Sequence, residues 1–200
     1  AFHGQLSPVQ EEAASKILPH NRGILVAPSG SGKTVVGISI IASRGVNTLI
    51  LVNRRPLMDQ WRNQLSSFLE IDPAKIGQIG GGKNKRTGLL DVAMLQSLFQ
   101  NKQVSDLVAE YGQVIVDECH HLPAFTFEQV LRQAKARYVL GLTATPYRRD
   151  GHQPIILMQC GPVHYEIRQN ELNSQTALHH ALICRNTSFT PPTTENELSV

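Results

Sequence analysis

Residues Ala27-Pro28-Ser29-Gly30-Ser31-Gly32-Lys33-Thr34 carry the densest chemical signal in this chain. They follow the apolar run Gly23-Ile24-Leu25-Val26 and precede a helix-like run from Val35 to Ser43. A strand, then a small-residue loop ending Gly-Lys-Thr, then a helix is the setting of a phosphate-binding loop. Small side chains let such a loop wrap backbone N–H groups around phosphate oxygens, while the following helix presents its positive dipole end. Pro28, Ser29, Gly30, Ser31 and Gly32 are the expected cradle. Lys33 is expected to reach the β- and γ-phosphates of a nucleotide, and the Thr34 hydroxyl to ligate Mg²⁺. Ala27 stands where the usual pattern has Gly. Chance would produce such a pattern in roughly one chain in a hundred of this length. The loop therefore points to a nucleoside triphosphate.

Hydrolysis needs more, and residues 113 to 121 supply candidates. Gln113-Val114-Ile115-Val116 reads as a buried strand with Asp117-Glu118-Cys119-His120 at its carboxyl end. In open α/β sheets that edge is where ligands bind, so both motifs are expected in one crevice. Asp117 would hold the magnesium opposite Thr34, and Glu118 would orient and deprotonate the attacking water.

Asp-Glu-Cys-His after a strand, with Gly141-Leu142-Thr143-Ala144-Thr145-Pro146 downstream, resembles the first motor domain of a superfamily 2 helicase. The run Gly141 to Gly151, Gly-Leu-Thr-Ala-Thr-Pro-Tyr-Arg-Arg-Asp-Gly, is similar to the XPB-like and restriction-type branch. The resemblance covers about residues 5 to 168, with the motifs in the family's order. It implies a RecA-like ATPase domain that uses ATP and Mg²⁺, grips nucleic acid (DNA by analogy) and works against a second RecA-like domain. It further implies Gln10 as an adenine contact, although the family's usual Arg is Ser7 here. Arg54 and Arg55 match a first strand-binding motif that continues through Pro56 to Trp61. Gly80-Gly81-Gly82-Lys83 matches a glycine-rich loop, and Gln96 and Ser97 a further nucleic-acid motif in which Met94 replaces the usual Thr. Thr143 and Thr145, with His120, are implied as a switch coupling nucleotide to nucleic acid. Two classes stay open: a nucleic-acid-stimulated motor (helicase, duplex translocase or translocase subunit of a restriction system), and a nucleotide-switched binding module without unwinding.

Two hundred residues with 41% hydrophobic content suit one globular domain plus some extra chain. No long apolar run suggests a membrane span, and no signal-like start is visible, so a cytoplasmic location is expected, nucleoid-associated in a bacterium. An opening at Ala1 rather than Met is expected of an excised fragment or a processed chain. Cys119, Cys160 and Cys184 form no CxxC pair, which fits a reducing compartment. Nineteen Lys and Arg against sixteen Asp and Glu give a weak positive balance. The clusters Arg54-Arg55, Lys83 to Arg86 and Arg148-Arg149 are expected in loops.

Strands and helices alternate, which predicts an α/β fold: a mostly parallel central sheet with helices on both faces. Ser7 and Pro8 read as cap and first residue of a helix to about Leu18. Strands are expected near 23–27, 48–52, 76–79, 92–95, 113–117, 138–142 and 163–167. Helices are expected near 33–43, 56–69, 96–99, 104–110, 126–135 and 153–159. In the 56–69 helix, Leu57, Trp61, Leu65 and Phe68 share one face, so Trp61 is expected to pack inward rather than stack on a base. Residues 1–168 are read as the motor domain, and 169–200 as linker or the start of a second motor domain.

Overall fold

A computed structural model describes residues 1–119, 124–145, 153–169 and 171. The expected roles of His120 and of Arg148-Arg149, and most of the 169–200 segment, lie outside the described residues.

The helix starts where the cap chemistry puts it. Ser7 and Gln10 form a reciprocal capping box ahead of α1, Pro8–Ile17, with Pro8 in its first turn. Strand β1, Arg22–Val26, feeds the phosphate loop, and α2, Lys33–Arg44, stops at Gly45, whose φ of 60° favours glycine. Strand β2, Thr48–Val52, leads into α3, Arg55–Leu69. Then come β3, Gly77–Gly80; β4, Lys83–Lys85; and β5, Leu90–Met94. A two-stranded hairpin follows, β6, Phe99–Gln100, and β7, Gln103–Val104. The remaining elements are β8, Gln113–Asp117; α4, Ala124–Gln133; β9, Tyr138–Thr143; α5, Gln153–Cys160; and β10, Val163–Glu166.

Eight strands form one sheet in the order β10-β1-β9-β8-β2-β5-β3-β4. Every pairing is parallel except β3 with β4. Successive residues of a strand face opposite sides, so each central strand feeds two cores. Ile24, Val26, Leu49 and Leu51 pack with Phe127, Val130, Ile156 and Cys160 of α4 and α5. Leu25, Ile50 and Val52 pack with α1, α2 and α3 on the other face. The expected α/β architecture, sheet covered on both faces, is the one observed.

Three expectations fail locally. Lys83 to Lys85 is no loop but a short antiparallel edge strand, exposed throughout, and its charges hide it from a hydrophobic pattern. Arg55 likewise begins a helix rather than sitting in a loop. The helices expected at 96–99 and 104–110 are single 3₁₀ turns, Leu95–Leu98 and Asp106–Glu110. Between them the β6–β7 hairpin turns through Asn101 and Lys102, with φ of 51° and 62°. Both central residues at positive φ is the turn that matches strand twist, here made without the usual glycine.

Candidate nucleotide site

The sheet order brings the chemistry together. β9 lies between β1 and β8, with Val26 opposite Thr143 and Leu142 opposite Asp117. The phosphate loop, Thr143 and the Asp117-Glu118 pair therefore emerge side by side at the carboxyl edge. Gly30 and Gly32 take φ of 82° and 79°, conformations that turn the loop back on itself at little steric cost. Gly32 caps α2 with no side-chain bond, so the first N–H groups of that helix are left without a side-chain acceptor. Ser29 and Gly30 are exposed, and Pro28 is half-buried beside them. The buried Ser31 hydroxyl has no protein partner.

A cleft of about 340 Å³ is lined by Ser29, Gly30, Gly32, Lys33, Thr34, Asp117 and Glu118, together with Val35, Leu57, Gln60 and Gln64. Lys33, expected on the β- and γ-phosphates, and Glu118, expected on the attacking water, touch here. The Lys33 ammonium lies 2.8 Å from Glu118 Oε1, with the side chains 10% and 18% exposed. Glu118 itself sits at a φ of 49°, an uncommon backbone for a residue with a Cβ.

Asp117 is almost fully buried. Its Oδ2 accepts the Trp61 indole N–H at 2.8 Å, and its Oδ1 accepts the Glu118 backbone N–H at 3.0 Å. Burial pushes the Asp117 carboxyl above the usual range, opposed first by the Trp61 hydrogen bond; Glu118 adds to the rise and Lys33 opposes it. Asp117 and Thr34 offer hard oxygen donors in one cleft, a set that suits Mg²⁺.

Gln10 stands against the phosphate loop, and its amide is already engaged. Oε1 accepts the Ser7 N–H at 3.0 Å, and Nε2 donates to the Ser31 carbonyl at 2.9 Å. One N–H of that amide remains beyond these bonds. Phe2 stacks on Phe68 with ring centroids 5.7 Å apart, so it packs within the protein. The Thr143 hydroxyl donates to the Thr145 carbonyl at 2.6 Å and accepts the Thr145 N–H at 3.3 Å, which tightens the turn after β9. The Cys119 thiol, pushed up to about 12 by burial, also hydrogen-bonds Thr143.

The residues expected on nucleic acid lie past the ends of β2, β3 and β5. Arg54 and Arg55 are exposed at the start of α3, whose N-terminus has no side-chain cap. Arg55 lies 3.9 Å from Asp59. Gly80, Gly81 and Gly82, all at positive φ, make the β3–β4 turn, with Lys83 exposed beside them. This turn joins Ser97 in a shallow groove, where a Cβ on Gly80 would lie 2.4 Å from Ser97 Oγ. Gln96 is exposed and donates to the Asn53 carbonyl at 3.3 Å, tying this patch to the loop before Arg54.

Sequence reasoning missed the wall that α3 lends to the cleft. Leu57, Gln60 and Gln64 line it, and Trp61 reaches Asp117. Trp61 was expected to pack inward and does so with no exposed surface. Its hydrogen bond was the part left unread, although a buried indole N–H usually finds an acceptor.

A model of the type III restriction enzyme res subunit family, ResIII, matches residues 3–148. This chain belongs to that family. The match takes in the phosphate loop, the Asp117-Glu118 pair and the Thr143-Ala144-Thr145 turn, so it covers the whole cleft described above. The ResIII chain is 33% identical over 168 residues to the DNA 3'-5' translocase XPB2 of Sulfurisphaera tokodaii, covering 84% of itself and 37% of that protein. It is 31% identical over 179 residues to the DNA 3'-5' helicase XPB of Mycobacterium tuberculosis, covering 86% of itself and 32% of the relative. The chain thus spans about a third of these relatives. Among solved structures, the UvsW helicase of bacteriophage T4 superposes with a TM-score of 0.68 at 21% identity, over 82% of this chain and 62% of that one. The Hef helicase domain of Pyrococcus furiosus gives 0.64 at 24% identity, over 80% and 37%. These likenesses fix the fold as RecA-like. Among the described residues no helix is long and apolar enough to cross a membrane.

Proposed function

We propose that this chain is the ATP-binding motor domain of a DNA-dependent ATPase, a helicase or duplex translocase. One observation carries the reading: Lys33, Thr34, Asp117 and Glu118 converge on a single cleft at the carboxyl edge of the sheet. In this account the phosphate loop and the open start of α2 bind the phosphates, and Lys33 leaves Glu118 to neutralise the terminal ones. Thr34 and Asp117 would hold Mg²⁺, which would supply positive charge to offset that of the phosphates. Glu118, freed from Lys33, orients a water and takes its proton. Gln10, bonded to Ser31, joins α1 to the phosphate loop and keeps one N–H for adenine. Thr143 and Thr145, with His120, form the link between the nucleotide and the nucleic-acid face.

Arg54, Arg55, Lys83, Gly81, Gln96 and Ser97 are assigned to the sugar-phosphate backbone, where they position the strand without reading its sequence. The names of the relatives favour DNA. The domain is read as residues 1–168, with 169–200 leading toward a second RecA-like domain. That partner would supply arginines worth roughly 10³–10⁵ in rate, so the chain alone is a slow ATPase. A binding module that only switches with nucleotide has no need of Glu118, which favours the motor. The test is ATP hydrolysis by the chain joined to its second motor domain, with and without duplex or single-stranded DNA. Several-fold stimulation by DNA supports the motor; ATP binding without stimulated turnover supports the switch.

A further inference from the structure

Behind the wall that α3 lends to the cleft lies a tryptophan that no phosphate-loop or Asp-Glu motif requires. Trp61 has no exposed surface, and it is the sole tryptophan of the chain. Its ring lies under the phosphate-loop helix, since a Cβ on Gly37 of α2 would stand 3.0 Å from Trp61 Cη2. Its indole N–H points the other way, to Asp117 Oδ2. With the Glu118 N–H on Oδ1, each carboxylate oxygen carries one N–H donor. Two donors on opposite oxygens stop the carboxylate turning about its last bond, and each oxygen keeps a further lone pair for a metal or its water. Burial matters as well. A buried carboxylate that is not pinned could choose among several rotamers, only some of which aim at the cation.

We infer that Trp61 is a positioning residue for the metal: its indole N–H fixes the Asp117 carboxylate in the orientation that receives Mg²⁺ of the Mg·ATP complex. The inference rests on the reading of Asp117 as the metal carboxylate. Hydrogen-bond partners of metal-binding side chains orient those side chains, and their loss commonly costs about 10–100-fold in metal affinity or activity. The effect is specific to the metal. Among the described residues the Trp61 indole hydrogen-bonds Asp117 and not the phosphate loop or Lys33, so ATP without metal should bind as before.

The test measures binding of a fluorescent N-methylanthraniloyl ATP analogue to the chain, in Mg²⁺ and in EDTA. Two variants are compared with the wild type. Trp61→Phe removes the N–H and some ring volume. Trp61→benzothienylalanine keeps the bicyclic shape and replaces N–H by sulfur; because the chain has one tryptophan, an analogue fed in its place enters only there. The ratio of affinity in Mg²⁺ to affinity in EDTA is expected to fall about tenfold in both variants, with the EDTA affinity unchanged within about twofold. An unchanged ratio in the benzothienyl variant overturns the inference, as does an equal loss in both conditions, which would mark a packing role. In the wild type, Trp61 emission should respond to Mg·ATP more than to metal-free ATP, and equal responses would also overturn it. Failure of the wild type to bind Mg·ATP at all would instead refute the nucleotide reading, and the Trp61 assignment with it.

Discussion

Glu118→Gln should do two opposite things. The Lys33 ammonium is held by Glu118 Oε1 at 2.8 Å, and neither side chain is more than a fifth exposed. ATP must break that contact before Lys33 can meet a terminal phosphate, and it must then tolerate the Glu118 charge nearby. A hydrogen bond between charged groups is worth about 1.5–3 kcal/mol net. The Gln amide oxygen still accepts from Lys33, so part of that contact survives the substitution. About 1 kcal/mol is then released on binding, or roughly a fivefold tighter Mg·ATP complex. Turnover moves the other way. Removing a general base costs about 10²–10⁴ in rate, and the amide cannot take a proton from water. Equilibrium titration of the chain reads the first effect, and steady-state hydrolysis by the motor with its second domain reads the second. Weaker Mg·ATP binding by Glu118→Gln would refute the idea that the ion pair competes with nucleotide. Retained turnover would remove Glu118 from the role of base.

Three further outcomes follow from the same geometry. Burial raises the Asp117 carboxyl, so its folded value lies above its unfolded one; the folded state then holds the proton more tightly, and stability falls as pH rises through that window. The melting-temperature difference between Asp117→Asn and wild type, without nucleotide, should therefore move in favour of Asn as pH rises from about 4 to 7, on top of a pH-independent loss from the Asn NH₂ facing one of two N–H donors, while the variant loses the metal-dependent part of ATP binding; a difference that does not change with pH would contradict this. Burial also pushes the Cys119 thiol up to about 12 and Cys160 well above its ordinary value, so in a Cys184→Ser chain a disulfide reagent at pH 8 should label neither until denaturant is added, and fast labelling would contradict their buried placement. Replacing both Arg54 and Arg55 by Ala should weaken duplex DNA binding and flatten the slope of log affinity against log salt by about 1.8; an unchanged slope would take both residues off the phosphate backbone.

The sequence exposed most of this fold because its central strands are continuous apolar runs separated by capped helices. Ile24 to Val26, Leu49 to Val52 and Val114 to Val116 are all buried, and a parallel sheet covered on both faces needs that pattern. Pattern reading failed where structure is short or charged. Lys83-Asn84-Lys85 pairs through its backbone alone, and the Asn101-Lys102 turn reverses the chain without a glycine to announce it. That Lys33, Thr34, Asp117 and Glu118 meet in one cleft was legible from type and spacing, because both motifs follow apolar strand runs and so fall at one edge of a parallel sheet. Contacts between distant segments were not. Nothing in the spacing says that Lys33 rests on Glu118, that Gln10 spends its amide on Ser7 and Ser31, or that Trp61, fifty-six positions from Asp117, reaches its carboxylate.

The central claim is that the cleft between the phosphate loop and Asp117-Glu118 is an ATP site. Calorimetric titration of Mg·ATP into the wild-type chain and into Lys33→Ala, at matched free magnesium, tests it most directly. The account predicts saturable binding at one site per chain, weakened at least about tenfold by Lys33→Ala, because the ammonium is the principal protein cation on the terminal phosphates. Equal affinities in the two proteins, or no binding by the wild type, would contradict it.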